Sequence, residues 1–275
     1  MTDAEFYSTA TTYLISLAYT QPRILAMFIA IPIFNRQIVP GLIRFSIAAG
    51  LGALAAPMLI PTVQATDLGA AQILMLVVKE AFVGFVLGYL IAIPFWAFEA
   101  VGFFIDNQRG ASIAATLNPL TGNDSSPLGI LFNQAFIVFF FISGGFLLML
   151  GVLYDSFRLW DVFNWYPTLR PDTMNLLLEQ LNRILRIALL LGAPVIVTMF
   201  LAEVGLALVS RFVPQLQVFF LAMPIKSAIA MLVLMLYMGT LFEYGYGYIK
   251  ALDGVLPFLK GQWGPFDTAV PRVPP

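Results

Sequence analysis

The length of its uncharged apolar stretches most constrains what this chain can fold into. Each of six such stretches approaches or exceeds the roughly 20 residues that a helix needs to cross about 30 Å of hydrocarbon, once flanking residues are counted. Of the 275 residues, 60% are hydrophobic and 11% are charged, against about 45–50% and about 25% in soluble domains. We therefore predict an all-α integral membrane protein with about six long apolar helical segments. These are residues 6–22, 45–66, 81–98, 125–154, 187–202 and 227–242.

Prolines lie within or beside most of these stretches. A proline ring clashes with the carbonyl one turn earlier and removes a backbone donor, so we expect broken or kinked helices and helical hairpins. Residues 1–260 are predicted to form one membrane domain, and the Pro-rich residues 261–275 a disordered tail. The prolines that signal breaks are Pro22, Pro32, Pro57, Pro61, Pro94, Pro194, Pro214 and Pro224.

Two stretches have the composition of loops. Residues 106–126 are rich in Asn, Gly, Ser and Thr and lie between two strongly apolar segments. Residues 155–186 carry Trp160, Trp165 and Tyr166, which suit a membrane–water interface, before an amphipathic segment begins.

The composition also excludes large classes of chemistry. The chain contains no Cys and no His, which removes thiolate and imidazole metal ligands and the commonest general base. It also lacks a GxxxxGK[ST] phosphate loop. We therefore predict no catalytic residues, no metal site and no cofactor. A net charge of −1 gives no indication of a nucleic-acid partner.

Charged residues inside the apolar segments are the most informative positions, because each costs about 2.5–3.5 kcal/mol at the centre of a membrane helix. They could form a polar path, a proton relay or an intersubunit ion pair. The alternative is a structural pair, such as Glu203 or Glu243 with Lys226. These positions, predicted as buried or interface charges, are Lys79, Glu80, Glu99, Glu203, Lys226 and Glu243.

Two further patterns lie on the same part of the chain. Glu99, Asp106 and Arg109 share roughly one face of a continuing helix, which would either line a cavity or form a solvated helix end. Gly84 and Gly88 form a small-xxx-small pair one turn after Glu80. Such a pair lets another backbone approach closely, so we predict that it packs against a helix.

Four runs resemble the SctT/FliR family, the export-apparatus proteins of type III secretion systems and bacterial flagella. Each combines charged, Gly or Pro positions in order, and the resemblance covers residues from about 10 to 260. The pairing of FIDNQRG with MPIKS favours the virulence branch over the flagellar one. The runs are KEAFVGFVLGY (79–89), FWAFEAVGFFIDNQRG (95–110), AEVGLALVSRFVPQ (202–215) and FFLAMPIKS (219–227).

The resemblance implies a multi-pass protein of the bacterial inner membrane that helps to form a pore for unfolded polypeptides. Its implied partners are SctR/FliP-like, SctS/FliQ-like and SctU/FlhB-like export proteins, the exported polypeptides and membrane lipid. In the family, the loop that matches residues 106–126 helps to plug the closed pore. The residues that the resemblance assigns to this plug are Asp106, Asn107, Gln108, Arg109 and Asp124.

A small-molecule secondary transporter is the alternative function. Discontinuous helices and charges at mid-membrane depth would then form a substrate site. Such carriers usually contain an internal repeat. Residues 70–110 and 187–230 show only loose similarity, around Glu99 and Glu203, and this weakens the alternative.

Overall fold

The fold is helical, as the apolar stretches predict. The structure is a computed structural model that describes residues 3–35, 38–65, 68–110, 126–164, 173–212 and 218–263, and no strand occurs among them. The prediction of an all-α membrane protein is therefore confirmed. The helices are α1 (Asp3–Ala30), α2 (Gly41–Ala65), α3 (Ala70–Arg109), α4 (Pro127–Ile142), α5 (Gly145–Leu159), α6 (Thr173–Phe212), α7 (Val218–Lys250) and α8 (Val255–Trp263), with 3₁₀ turns at Pro32–Phe34 and Ala251–Gly254.

The predicted count of about six apolar segments is too high. Within the described residues, four helices are long and apolar enough to cross a membrane, or up to five if α4 and α5 form one broken crossing. The four are α2, α3, most of α6 and most of α7. Residues 6–22 do form a helix, α1, but serines, threonines and Arg23 interrupt its apolar sequence. The stretch 125–154 is divided at Gly144, whose φ of +80° favours glycine.

The helices are not broken at most of the prolines that were expected to break or kink them. Neighbouring side chains and small local adjustments can satisfy the backbone groups that a proline frees, so membrane helices tolerate proline. Pro32 is the exception, because α1 ends just before it and a 3₁₀ turn begins there. Pro214 lies outside the described residues. The helices continue through Pro22, Pro57, Pro61, Pro94, Pro194 and Pro224.

The predicted loops are shorter than the composition suggests. Residues 106–109 belong to α3, and residues 111–125 lie outside the described part of the chain. Of residues 155–186, α5 includes those up to Leu159 and α6 those from Thr173. The C-terminal residues 264–275, the predicted tail, are also outside the described residues.

The chain divides into two compact units. The first unit comprises residues 1–92, 144–176 and 251–275, and the second comprises residues 93–143 and 177–250. In the first unit α1 and α2 form a helical hairpin, of the kind that the sequence predicts. The Tyr13 hydroxyl donates to the Ala53 carbonyl oxygen at 2.9 Å across this hairpin. A Cβ at Gly52 would overlap the side chains of Thr20 and Gln21, so the two helices pack closely there.

Aromatic side chains fill the core of the second unit. Phe98 stacks on Phe136 with ring centroids 4.3 Å apart, and Phe95 meets the edge of Phe136 at 4.9 Å. Gly245 of α7 lies against Phe98 and Phe136, where a larger residue would collide with both rings. The second unit is therefore held by tight ring packing.

Candidate functional site

Three charged residues of the first unit meet in one buried cluster. The side chains of Arg23 in α1 and Glu80 in α3 have no exposed surface. Arg23 Nε donates to Glu80 Oε2 at 2.6 Å, and Arg23 Nη2 donates to Glu80 Oε1 at 2.9 Å. Lys79 Nζ lies 2.8 Å from Glu80 Oε1. One carboxylate thus balances two cations, and we call Arg23, Lys79 and Glu80 the charge cluster.

The two cations of the charge cluster also bind the turn that follows α5. Arg23 Nη2 donates to the Trp160 carbonyl at 2.8 Å, and Nη1 donates to Ser156 Oγ at 3.2 Å. Lys79 Nζ donates to the carbonyl oxygens of Asp161 (3.1 Å), Val162 (2.6 Å) and Asn164 (3.1 Å). Arg23 and Lys79 together thus bind four carbonyl groups of a non-helical segment.

Aromatic rings and close helix packing position the charge cluster. The Arg23 guanidinium lies 4.2 Å from the ring centroid of Phe157, within the range of a cation–π contact. A Cβ at Gly84 would overlap the Arg23 carbonyl, and one at Gly88 would lie 2.5 Å from the Met27 carbonyl oxygen. The glycine pair therefore faces the backbone of α1 within the same chain. It sets the short separation at which Arg23 reaches α3.

A second network, in the second unit, surrounds Asp106 near the end of α3. Asp106 Oδ1 accepts from Arg109 Nε at 2.7 Å. Asp106 Oδ2 accepts from Ser126 Oγ at 2.6 Å and from the Leu128 amide at 2.9 Å. Ser126 Oγ in turn accepts from the Gly129 amide and caps α4. Asp106 thus ties the end of α3 to the start of α4.

The other residues of the predicted plug are placed less fully. Asn107 is exposed and Gln108 is half-buried, both near the end of α3. Asp124 lies outside the described residues, as does the rest of 111–125. The structure therefore describes the two ends of the predicted plug segment.

The remaining predicted charges occupy separate places in the second unit. Glu99 Oε2 accepts from Asn133 Nδ2 at 2.8 Å, and Asn133 Oδ1 is buried with no partner among the described residues. Lys226 Nζ donates to Glu203 Oε2 at 3.2 Å, with the Glu203 side chain 49% exposed. Glu243 is exposed. Of the two acids considered for Lys226, Glu203 is therefore the one in contact.

Sequence reasoning missed the partners that complete the charge cluster. Arg23 carries the only charge between residues 6 and 35, and this signal was available. No sequence pattern indicated Ser156 or the Trp160 carbonyl as partners, because each lies more than 130 residues from Arg23 along the chain.

Within the described residues, no group of three or more Asp, Glu, His or Cys could hold a metal ion.

Comparison with known proteins gives one family and several relatives. The model of the bacterial export proteins, family 1, matches residues 14–252. Yop proteins translocation protein T of Yersinia pestis is 42% identical over 80% of this chain and 85% of its own length. Surface presentation of antigens protein SpaR of Salmonella typhimurium is 34% identical over 78% and 80%. Flagellar biosynthetic protein FliR of Bacillus subtilis is 30% identical over 80% and 85%.

Proposed function

The chain belongs to the bacterial export proteins, family 1, and from this membership we propose that it is a subunit of a type III secretion export gate. In this role it helps to form and close the channel through which unfolded proteins cross a membrane. The match over residues 14–252 carries the proposal. The resemblance to the SctT/FliR family is thereby confirmed. The relatives above are named for translocation, antigen presentation and flagellar biosynthesis, and we propose no enzymatic reaction for the chain.

The chain is a multi-pass bacterial membrane protein, and we assign it to the inner membrane. The family model and the apolar helices support this placement. Identity is 42% to the Yop translocation protein and 30% to the flagellar protein FliR. This difference supports a place in a secretion system rather than in a flagellum.

Exposed apolar surface supports a further point, that other proteins cover part of this chain. On α6, exposed large apolar side chains extend from Leu178 to Phe212. At 1.5 Å per residue this surface is about 50 Å long, whereas hydrocarbon is about 30 Å thick. Lipid cannot cover all of it, even around a tilted helix. We infer that SctR/FliP-like, SctS/FliQ-like and SctU/FlhB-like export proteins are the partners that cover the remainder.

We also propose that the segment 106–126 closes the channel in the resting state. The Asp106 network supports this role, because it joins Asp106, the first residue of the segment, to Ser126, its last. A closing element must prefer its closed state by a few kcal/mol and still yield to an arriving polypeptide. Asn107, Gln108 and Arg109 lie at its start and Asp124 near its end.

Co-purification tests the subunit assignment. The tagged chain is expressed with the membrane proteins encoded beside it, extracted in mild detergent, and its companions are identified by mass spectrometry. An export subunit should elute in a large complex with SctR-like and SctS-like proteins. A secondary transporter should instead elute alone and take up a small solute in liposomes, and that result would refute the proposal.

Ion leakage tests the closing segment separately. The assembled complex in liposomes should conduct little in its resting state, and deletion of residues 111–125 should raise conductance. Glu243→Gln, at an exposed position of α7, serves as the control and should leave conductance low. Unchanged conductance in a deletion complex of normal size would contradict the closing role and leave the subunit assignment intact.

A further inference from the structure

A cavity of about 650 Å³ lies in the first unit, between the C-terminal end of α5 and helix α8. Its size is within the range of small-molecule sites, roughly 300–1,000 Å³. The wall combines apolar and charged side chains from two separate helices. The lining residues are Asp155, Arg158, Leu159, Pro257 and Lys260.

The cavity carries more positive than negative charge. Arg158 of α5 and Lys260 of α8 are cations, and Asp155 is the one acid among the lining residues. Arg158 Nη1 lies 3.4 Å from Asp155 Oδ1, and the two side chains are 73% and 51% exposed. An ion pair this long and this exposed contributes little. Lys260 Nζ has no hydrogen-bond or ion-pair partner among the described residues, so both cations can bind an incoming anion.

The position of the cavity restricts which anion reaches it. Helices α4 and α5 together are long and apolar enough to form one broken membrane crossing, and Leu159 is the last residue of α5. The charged residues Asp155 and Arg158 interrupt the apolar sequence in its last two turns. The end of an apolar span lies at the level of the lipid headgroups, where basic and aromatic residues collect. Leu159 and Pro257 add apolar wall beside the two cations.

We propose that this cavity binds the phosphate group of an anionic phospholipid. The Arg158 guanidinium can bind two phosphate oxygens at once, and Lys260 adds a point charge from α8. Leu159 and Pro257 contact the glycerol and the first methylenes of the acyl chains. The inference goes beyond the export function and does not depend on it, because it concerns the isolated chain.

Lipid binding by the full-length chain in detergent tests the proposal, with native mass spectrometry as the readout. Phosphatidylglycerol is added at increasing concentrations to the protein and to Arg158→Gln and Lys260→Gln. Each substitution should weaken binding about fivefold, the value for one Lys or Arg near an anionic membrane surface. Arg183→Gln removes an exposed arginine of α6 that does not line the cavity, and it should bind as the unsubstituted protein does.

Two comparisons distinguish the sources of the phosphate. Phosphatidylcholine, whose headgroup has no net charge, should bind more weakly and equally to all four proteins. Inorganic phosphate at millimolar concentration should not displace phosphatidylglycerol. Displacement by inorganic phosphate would overturn the lipid assignment in favour of a free phosphate. Equal phosphatidylglycerol binding by the Arg158 and Lys260 variants and the control, at unchanged elution volume, would overturn the site itself.

Discussion

Replacing Glu80 by Gln should destabilise the first unit strongly. Glu80 accepts hydrogen bonds from two nitrogens of Arg23 and lies 2.8 Å from Lys79 Nζ. Glutamine keeps one carbonyl oxygen but directs an NH₂ group at a cation in place of the other. The Arg23 side chain has no exposed surface. It therefore cannot recover the lost interaction from water.

The size of the effect follows from the burial of the pair. Breaking a buried ion pair by removing one partner costs about 3–5 kcal/mol, because an uncompensated charge remains. On the scaling for soluble domains of 150–250 residues, about 2–4 °C per kcal/mol, Glu80→Gln should lower the apparent Tm by about 6–20 °C. Arg23→Gln should have a similar effect. The double variant should lose less than the sum of the two, because each removes the charge that the other leaves unpaired.

The assay heats the detergent-purified chain at one rate and measures the fraction that remains monodisperse on size exclusion. A matched control is Glu203→Gln, the same substitution in a pair that is 3.2 Å long and whose acid is 49% exposed. Its cost should be below about 1 kcal/mol. If Glu80→Gln and Glu203→Gln lowered the apparent Tm equally, the assignment of the charge cluster as a stabilising element would be wrong.

Three further substitutions test other parts of the structure. Gly84→Ala should lower the free energy of unfolding by about 1–3 kcal/mol through overlap with the α1 backbone. Gly205→Ala, with nothing within 4 Å, should instead leave it unchanged or raise it by up to about 1 kcal/mol, because alanine favours the helix; thermal melts compare the two. Asp106→Asn should lower the free energy of unfolding by about 1–3 kcal/mol, since one of the two acceptor oxygens becomes a donor. It should also speed hydrogen exchange at the start of α4, and exchange there at the normal rate would contradict this. Lys79→Met should expose the turn after α5 to proteolysis, because the Val162 carbonyl loses its donor and the Asp161 and Asn164 carbonyls each lose one of two. A turn that stays resistant would argue against this role of Lys79.

The fold class could be predicted from the sequence, but the number of membrane crossings could not. Long apolar runs specify membrane helices directly, because few alternatives satisfy the backbone in hydrocarbon. Prolines predicted breaks that are mostly absent from the described helices. At Pro94 and Pro194 the helix continues for fifteen or more residues on either side, so the packing of the surrounding helices outweighs the local cost of the ring.

For the candidate sites, the sequence identifies the charged residues but not the groups that they contact. Lys79 and Glu80 are detectable in sequence because a charge in an apolar run is costly. What they bind is not detectable, since their partners include a distant arginine and backbone carbonyls up to 85 residues away. The Asp106 network is partly local, because Arg109 lies one turn away. Its contacts with Ser126 and Leu128 depend on how the chain returns after residues 111–125.

The cations of the charge cluster donate hydrogen bonds to backbone carbonyl groups of the turn after α5. Apolar residues in place of Arg23 and Lys79 could not do so. Residues 160–164 are not helical, so their carbonyl groups have no helical donors. Trp160 and Val162 are also buried, which limits access to water. A buried carbonyl without a donor is costly. Arg23 donates to the Trp160 carbonyl and Lys79 donates to the Val162 carbonyl. Glu80 offsets part of the positive charge that the two cations bring. Isolated buried ion pairs are often replaceable by hydrophobic residues, but these cations also satisfy the turn and are needed for as long as the turn stays buried.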